Sequence, residues 1–324
     1  MKYNNKVISL TSVLLGLIVL YILGITFSNR IPGKGDHQGL LLPGFSEEDV
    51  AGFTISGEEE EFLFTKSDEG SWFVSLGLSG HEETSYDTGA LYPGNEGRIK
   101  AFLGILMEAP RTAVVTKDSE KHPLFEVDRE RASVVTLWGP GEKSILYLGK
   151  SDPTNMGEYV RIEGEDEVFI TTPLGSYLSR DLVYWSKLTL FPDRLKEKDI
   201  ISLSFREYVA ERGAYDEYRL LKTGEGNDSW VVQGVNTKPD PVSIERLLRN
   251  LVQVKGKGFS RSMPEGPVQF EITVATLDGT EYILEGRQAG EEVFLILRGS
   301  EQPLYLLDLE VFRNIMVAKE TLFG

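Results

Sequence analysis

Apolar and polar residues alternate on both sides of Asp278-Gly279 in the stretch Ile272-Thr-Val-Ala-Thr-Leu-Asp-Gly-Thr-Glu-Tyr-Ile-Leu-Glu-Gly-Arg287. Alternation with a period of two is typical of a half-buried strand. The dipeptide Asp-Gly between two such runs favours a tight hairpin turn. The stretch therefore predicts two antiparallel strands, Ile272 to Leu277 and Tyr282 to Arg287.

A similar hairpin pattern lies earlier in the chain. Val134 to Leu137 leads through Gly139-Pro140-Gly141 into Ile145 to Lys150. Each hairpin is preceded by apolar residues at helical spacing, which places them on one helix face to be buried against a sheet. These residues are Ile99, Phe102, Leu103 and Leu106 in the first copy, and Ile244, Leu247, Leu248 and Leu251 in the second.

The start of the second helix carries a clear signal. Asp240 can accept hydrogen bonds from the free N–H groups of the first turn, and Pro241 suits the first helical position. The first helix follows Pro93-Gly94-Asn95, which is a weaker start.

The remaining elements also occur in two copies, which indicates an internal repeat. Each copy opens with a strand, continues to a tryptophan strand, and ends with two strands and a short helix after the hairpin. The opening strands are Asp49 to Ile55 and Asp199 to Phe205, the tryptophan strands Gly70 to Val74 and Asn227 to Val232, the late strands Tyr159 to Ile162, Val168 to Ile170, Val293 to Leu297 and Leu304 to Leu307, and the short helices Leu174 to Leu182 and Leu309 to Val317.

We therefore expect an α+β protein with an N-terminal transmembrane helix followed by two tandem repeats, each an antiparallel sheet with a packed amphipathic helix. The expected modules are residues 46–192 and 193–324. The first copy carries an insertion, Gly77 to Tyr92, whose composition predicts an exposed loop.

Val7 to Phe27 is an unbroken apolar run without a charged residue. As a helix it would be about 31 Å long, which matches the hydrocarbon core of a bilayer. Bulky residues precede Ser28 where a signal peptidase requires small ones, so we expect an uncleaved anchor within residues 1–28. Residues 29–45, rich in glycine, predict a tether above the membrane.

The flanking basic residues, Lys2 and Lys6 before the run and Arg30 and Lys34 after it, are nearly balanced. The free α-amino group and the ready translocation of long domains favour a cytoplasmic N-terminus. We expect a protein of the bacterial inner membrane with an extracytoplasmic body.

The charge of the body excludes one class of partner. All 50 acidic residues but only 31 of the 34 basic residues follow residue 30, which leaves that part with a formal charge of −19. Such a surface repels phosphate backbones, so we expect no nucleic-acid binding. The chain has no cysteine, which excludes disulfides and thiolate chemistry.

No motif predicts a catalytic, cofactor-binding or metal-binding residue. His37, His81 and His122 are scattered and do not form a zinc pattern; His81 lies in the insertion, and His122 is expected in a loop. The acidic runs Glu58 to Glu61 and Glu163 to Glu167 lack the twelve-residue calcium loop and predict solvated hairpin tips. Trp72 and Trp230 are most simply core residues, with ligand stacking the alternative.

Three short motifs carry a resemblance: Gly70-Ser71-Trp72, Leu148-Gly149-Lys150 and Tyr159-Val160-Arg161. With the order of elements around them, most of residues 45–315 resembles a bacterial family of unknown function numbered 4340. Members of that family have an N-terminal membrane helix and are associated with ABC transporters of the gliding-motility type. The chain differs from the family pattern in its glycine-rich insertion.

The resemblance implies a non-enzymatic accessory subunit that docks onto the permease or the auxiliary extracytoplasmic protein of such a transporter. It implies no catalytic residues and no cofactor. An alternative from another class is an extracytoplasmic receptor or sensor with a small-molecule site between the two modules.

Overall fold

The computed structural model describes residues 39–57, 60–78, 90–299 and 303–323. The predicted membrane segment, Val7 to Phe27, lies outside the described residues, as do His37, His81 and most of the insertion. Among the helices that are described, none is long and apolar enough to cross a membrane.

The first sheet contains nine strands in the order β4-β3-β2-β1-β6-β7-β8-β9-β5. In this sheet β1 pairs with β6, β6 with β7, β7 with β8 and β8 with β9, and all four pairs are antiparallel. The strands are β1 Gly52–Ser56, β2 Glu60–Lys66, β3 Trp72–Leu78, β4 Tyr92–Pro93, β5 Ala113–Thr116, β6 Ser133–Gly139, β7 Glu142–Ser151, β8 Glu158–Ile162 and β9 Val168–Thr171.

The second sheet contains eight antiparallel strands in the order β12-β11-β10-β14-β15-β16-β17-β13. Apart from the extra β4, this order repeats that of the first sheet strand by strand. The strands are β10 Ile200–Val209, β11 Ala214–Lys222, β12 Trp230–Val232, β13 Gly258–Ser260, β14 Phe270–Thr276, β15 Glu281–Ala289, β16 Glu292–Leu297 and β17 Leu304–Asp308.

The predicted α+β class and the two similar sheet modules are confirmed, and both hairpins form where their patterns predicted them. The sequence missed β5 and β13, which follow the main helix of each copy and pair with β9 and β17 at the sheet edge. Each copy therefore crosses from its helix to the far edge of its sheet before it forms the central hairpin.

The described chain has five α-helices: α1 Glu96–Glu108, α2 His122–Phe125, α3 Leu182–Trp185, α4 Pro241–Gln253 and α5 Leu309–Arg313. The predicted apolar faces of α1 and α4 are buried, as expected. Asp240 caps α4, since its carboxylate accepts a 2.9 Å hydrogen bond from the Ser243 N–H. The short helix expected from Leu174 to Leu182 is instead a 3₁₀ turn, Gly175–Tyr177, followed by α3.

Contacts between Cα atoms divide the chain into two compact units. Of the described residues, the first contains those up to Leu63, Leu78 and Gly97–Ser179. The second contains Phe64–Gly77, residues 90–96 and the chain from Arg180 onward. The module bounds at 46, 192 and 193 stay predictions.

The predicted tether and the predicted insertion each have an end that is packed into the fold. Leu41 and Leu42, within the predicted tether, are buried, and the Leu41 N–H donates to the Ala109 carbonyl at 2.7 Å. This end of the tether is therefore part of the first unit. In the predicted insertion, Gly77 belongs to β3 and Tyr92 to β4, where Tyr92 is buried rather than exposed.

Candidate docking surface

Each sheet has one face that packs on its main helix. In the first unit the Phe53 ring of β1 lies 5.6 Å from the Phe102 ring of α1. In the second unit one buried cluster joins Leu203 of β10 and Leu284 of β15 to Leu248 of α4. Because side chains alternate along a strand, the intervening residues point to the opposite side, which we call the outer face.

The outer face of the first sheet is covered by residues 119–132, here called the cover segment. It contains a 3₁₀ turn, Ser119–Lys121, and α2. Val127 and Ala132 of the cover segment form a buried cluster with strand residues Tyr147, Tyr159 and Val168. The rings of Phe125 and Tyr159 lie 4.8 Å apart. The cluster is a second, smaller core on the side of the sheet away from α1.

Polar contacts hold the cover segment in place. The Arg161 Nε–H donates to the Val127 carbonyl at 3.1 Å, and its guanidinium lies 4.0 Å from the centre of the Tyr147 ring. His122 is buried, and its Nε2 atom lies 2.9 Å from the Asp166 carbonyl oxygen. The expectation that His122 lies in a loop is therefore wrong, because this residue begins α2.

Gly149 explains the close approach of the cover segment to β7. A Cβ atom added at this position would collide with the Phe125 carbonyl oxygen and would lie 2.8 Å from Val127 Cγ1. The absence of a side chain lets the cover segment lie directly on the strand. The motifs Leu148-Gly149-Lys150 and Tyr159-Val160-Arg161 thus contain residues on which the cover segment packs.

The second sheet has apolar residues at the corresponding outer positions. Leu146 of β7 and Leu284 of β15 are equivalent positions. Leu146 is directly opposite Ile162 of β8, and Leu284 is directly opposite Leu297 of β16. This register puts Phe294 at the place of Tyr159 and Ile296 at the place of Arg161. The half-buried apolar residues on this side, here called the open face, are Ile283, Phe294, Ile296, Leu304 and Leu306.

The open face lies outside the buried cluster of its unit. The chain between β13 and β14, residues 261–269, is shorter than the cover segment and forms no helix in the described structure. Arg287, which stands where the first sheet has Gly149, donates to the Pro264 carbonyl. A side chain at this position excludes the close backbone approach that the cover segment makes on β7.

Ion pairs flank the open face. Arg298 lies between Glu271 and Glu285, which are directly opposite each other on β14 and β15. Lys257 contacts Glu292 at 2.9 Å and Asp308 at 2.8 Å, and these carboxylates raise its pKa. The open face is thus an apolar patch bordered by charged side chains that are already paired, and one of them, Glu285, is directly opposite Ile296.

The other residues considered from the sequence have structural roles. Trp72 and Trp230 are buried, which confirms that they belong to the core. The acidic run Glu163 to Glu167 forms the tip between β8 and β9, where Glu165 pairs with Arg111 at 3.2 Å. Glu60 and Glu61 begin β2. Within the described ranges no three His, Cys, Asp or Glu residues cluster as a metal site.

Glu158 is a buried carboxylate of the first unit. It accepts hydrogen bonds from the N–H groups of Leu174 and Gly175 at 2.9 and 2.8 Å. Burial raises its pKa, against the opposing effect of these two hydrogen bonds. Since both donors belong to the start of the 3₁₀ turn Gly175–Tyr177, this carboxylate fastens the turn to β8.

Sequence reasoning missed the cover segment and the open face. A signal for the first was present, since Pro123 after His122 suits a helix start, and Phe125 and Val127 follow it. The second had no local signal, because an outer strand position reads the same whether or not another segment covers it.

The fold is thus that of an α+β protein built from two copies of one sheet module. A model of a family described as a domain of unknown function, DUF4340, matches residues 85–271, which is more than half of the chain. The chain belongs to this family. Among curated proteins, no significant match was found.

Proposed function

We propose that this protein is a non-enzymatic, membrane-anchored accessory subunit that docks onto an ABC transporter complex of the gliding-motility type. Residues Val7 to Phe27 anchor it in the bacterial inner membrane, with a cytoplasmic N-terminus and an extracytoplasmic body. The partner is the permease or the auxiliary extracytoplasmic protein. Membership of the family and the uncharged apolar run support this proposal.

The observation that carries the docking role is the open face of the second sheet. Its five apolar side chains are half-buried, and the equivalent face of the first sheet carries a segment of the same chain. A partner that covers this face would remove apolar surface from water, which is favourable by about 25 cal/mol per Å². The paired charges at the rim need no new partner on binding.

The test is the recovery of the full-length tagged protein in mild detergent, with identification of the co-purified proteins by mass spectrometry. We expect an ABC permease and its ATPase with the native protein. Leu306→Glu, in the open face and opposite the uncharged residues Gly258 and Phe294, should lose them, because it would bury a charge in the interface. Ser204→Glu, on the outer face of β10, is the matched control and should retain them.

Two outcomes would contradict the proposal. Recovery of the protein alone after cross-linking would argue against an accessory subunit. Degradation of the body only after the cytoplasm is opened to protease would contradict the orientation. The alternative role as a small-molecule receptor stays a prediction, and ligand-dependent stabilisation in a thermal-shift screen would favour it.

A further inference from the structure

A small polar cleft lies in the second unit between α4, α5 and the 3₁₀ turn Lys319–Leu322. Its volume is about 180 Å³. The polar side chains that line it are Ser243, Arg246 and Asn250 of α4, and Arg313, Asn314 and Thr321. None of the residues that line this cleft belongs to the open face.

The geometry of α4 puts its three polar residues on one side. Ser243, Arg246 and Asn250 are spaced by three and four positions, so they follow each other along the helix surface. The Asn250 Nδ2–H donates to the Asn314 carbonyl at 3.3 Å, which ties α4 to the end of α5. The two arginines thus enter the same cleft from two different helices.

The charge of the cleft contrasts with that of the chain. None of its lining residues is acidic, although the chain has 50 acidic residues. Both arginines are exposed. Within the described residues the Arg313 side chain has no hydrogen bond or ion pair to another protein group, and Arg246 Nη2 lies 3.5 Å from the Ser243 hydroxyl. Both guanidinium groups therefore have donors to spare.

The carboxylate of Asp240, three residues before Ser243, is already engaged. Asp240 accepts hydrogen bonds from the N–H and the hydroxyl of Ser243, both at 2.9 Å. These bonds first, and the charge of Arg246 to a smaller degree, lower the pKa of Asp240. Its role is to cap α4, and it does not line the cleft.

We propose that this cleft binds a phosphate group through Arg246 and Arg313, with the second amide N–H groups of Asn250 and Asn314 as further donors. The first amide N–H groups already donate to the Asn314 and Glu310 carbonyls, and the Thr321 hydroxyl donates to the Ala318 carbonyl. Guanidinium groups match the geometry of phosphate oxygens and bind them by paired hydrogen bonds. The volume accommodates one phosphate group with a small substituent. The group comes either from a soluble phosphate or from a lipid headgroup, and the chemistry of recognition is the same.

The experiment titrates the full chain in detergent with three probes: inorganic phosphate, glycerol 3-phosphate and dihexanoyl phosphatidylglycerol below its micelle concentration. Binding is measured by calorimetry. We expect saturable binding of at least one probe and a loss of about tenfold in affinity for Arg246→Gln and for Arg313→Gln. Arg249→Gln is the matched control, because Arg249 lies on the same helix but outside the cleft and pairs with Glu245 at 3.6 Å.

The probes distinguish the source of the phosphate. Tighter binding of the lipid than of glycerol 3-phosphate identifies a headgroup, and the reverse identifies a soluble ligand. The proposal is overturned if none of the probes binds saturably, or if Arg249→Gln weakens binding as much as the two cleft variants do. Transporter recovery by the Arg313→Gln variant is measured separately, so failure here leaves the accessory role intact.

Discussion

The outer face of the first sheet is covered by residues 119–132, whereas the corresponding face of the second sheet is not covered by an equivalent segment. The two sheets share strand order, and the register of β7 with β8 matches that of β15 with β16 as far as Leu148, after which the first pair has a shift that the second lacks. The difference therefore does not come from strand order. It comes from two local changes: a shorter connection before β14, and Arg287 in place of Gly149. A repeated fold can thus keep one core and use its second face either for its own packing or for a partner.

The largest expected effect tests whether the two helix-facing cores are equivalent. Leu146→Ala in the first sheet and Leu284→Ala in the second should each lower the free energy of unfolding by about 3 kcal/mol, because both side chains are buried at matching positions. Denaturant unfolding measures this. A loss confined to one sheet would show that the cores are not equivalent.

The next prediction concerns the outer faces directly. Tyr159→Ala should cost about 2 kcal/mol of stability, since the ring is buried against Phe125. Phe294→Ala, at the matching place in the second sheet, should cost less, because Phe294 is only half-buried. Equal losses in denaturant unfolding would contradict the comparison between a covered and an open face.

Gly149→Ala should cost about 1.5 kcal/mol, because the new methyl group would displace the Phe125 carbonyl and so the cover segment. Hydrogen exchange should rise within residues 119–132 and remain unchanged in α4. Gly141→Ala is not a fair control, since Gly141 has a positive φ. Gly104→Ala is suitable, because nothing lies within 4 Å of the added atom. Normal protection of the cover segment would refute this account of Gly149.

Asp240→Ala sharpens the comparison between the two main helices. It should destabilise the second unit by about 1 kcal/mol, because the first turn of α4 loses its cap. Thermal unfolding measures the loss. Asp240→Asn is the control, and it should retain most of the stability because the amide oxygen can still accept from the Ser243 N–H. Equal stability of all three proteins would show that the cap does not contribute.

The smallest effect is a dependence on pH with opposite signs in the two units. The raised pKa of Glu158 means that the folded state binds its proton more tightly than the unfolded state, so its contribution falls as pH rises through the range above the ordinary glutamate pKa. Asp278 behaves in the opposite way. Hydrogen bonds from Thr276 and Thr280 lower its pKa to about 2, so its contribution is lost as pH falls toward that value.

Glu158→Gln and Asp278→Asn separate these two contributions. Subtraction of each variant's stability curve from that of the native protein between pH 2 and 7 should give slopes of opposite sign. Two slopes of the same sign would show that one of the two assignments is wrong.

Much of the fold could be predicted from local patterns. The alternation in Ile272 to Arg287 and the helical spacing from Ile244 to Leu251 depend on residues close in the chain, and both elements form as predicted. The edge strands β5 and β13 could not be predicted in this way. They are short, and each depends on pairing with a strand more than 40 positions further along.

The packing of the cover segment and of Leu41 could not be predicted for a related reason. The burial of His122 depends on the carbonyl of Asp166, and the position of the cover segment depends on Arg161, which is 34 residues from Val127. Leu41 is buried next to Ala109, which no pattern in the glycine-rich segment indicates. Contacts of this kind arise only when distant segments are brought together.

The sequence by itself determined the central strands, the two main helices, the hairpin turns and the repeat, because each depends on the periodicity and the turn chemistry of neighbouring residues. It also determined the acidic charge and the apolar run from Val7 to Phe27. Only the tertiary structure decided which sheet face is covered and which polar residues of α4 and α5 share a cleft. The physical reason is that burial is a property of the whole packed chain, whereas periodicity is a property of a few adjacent residues.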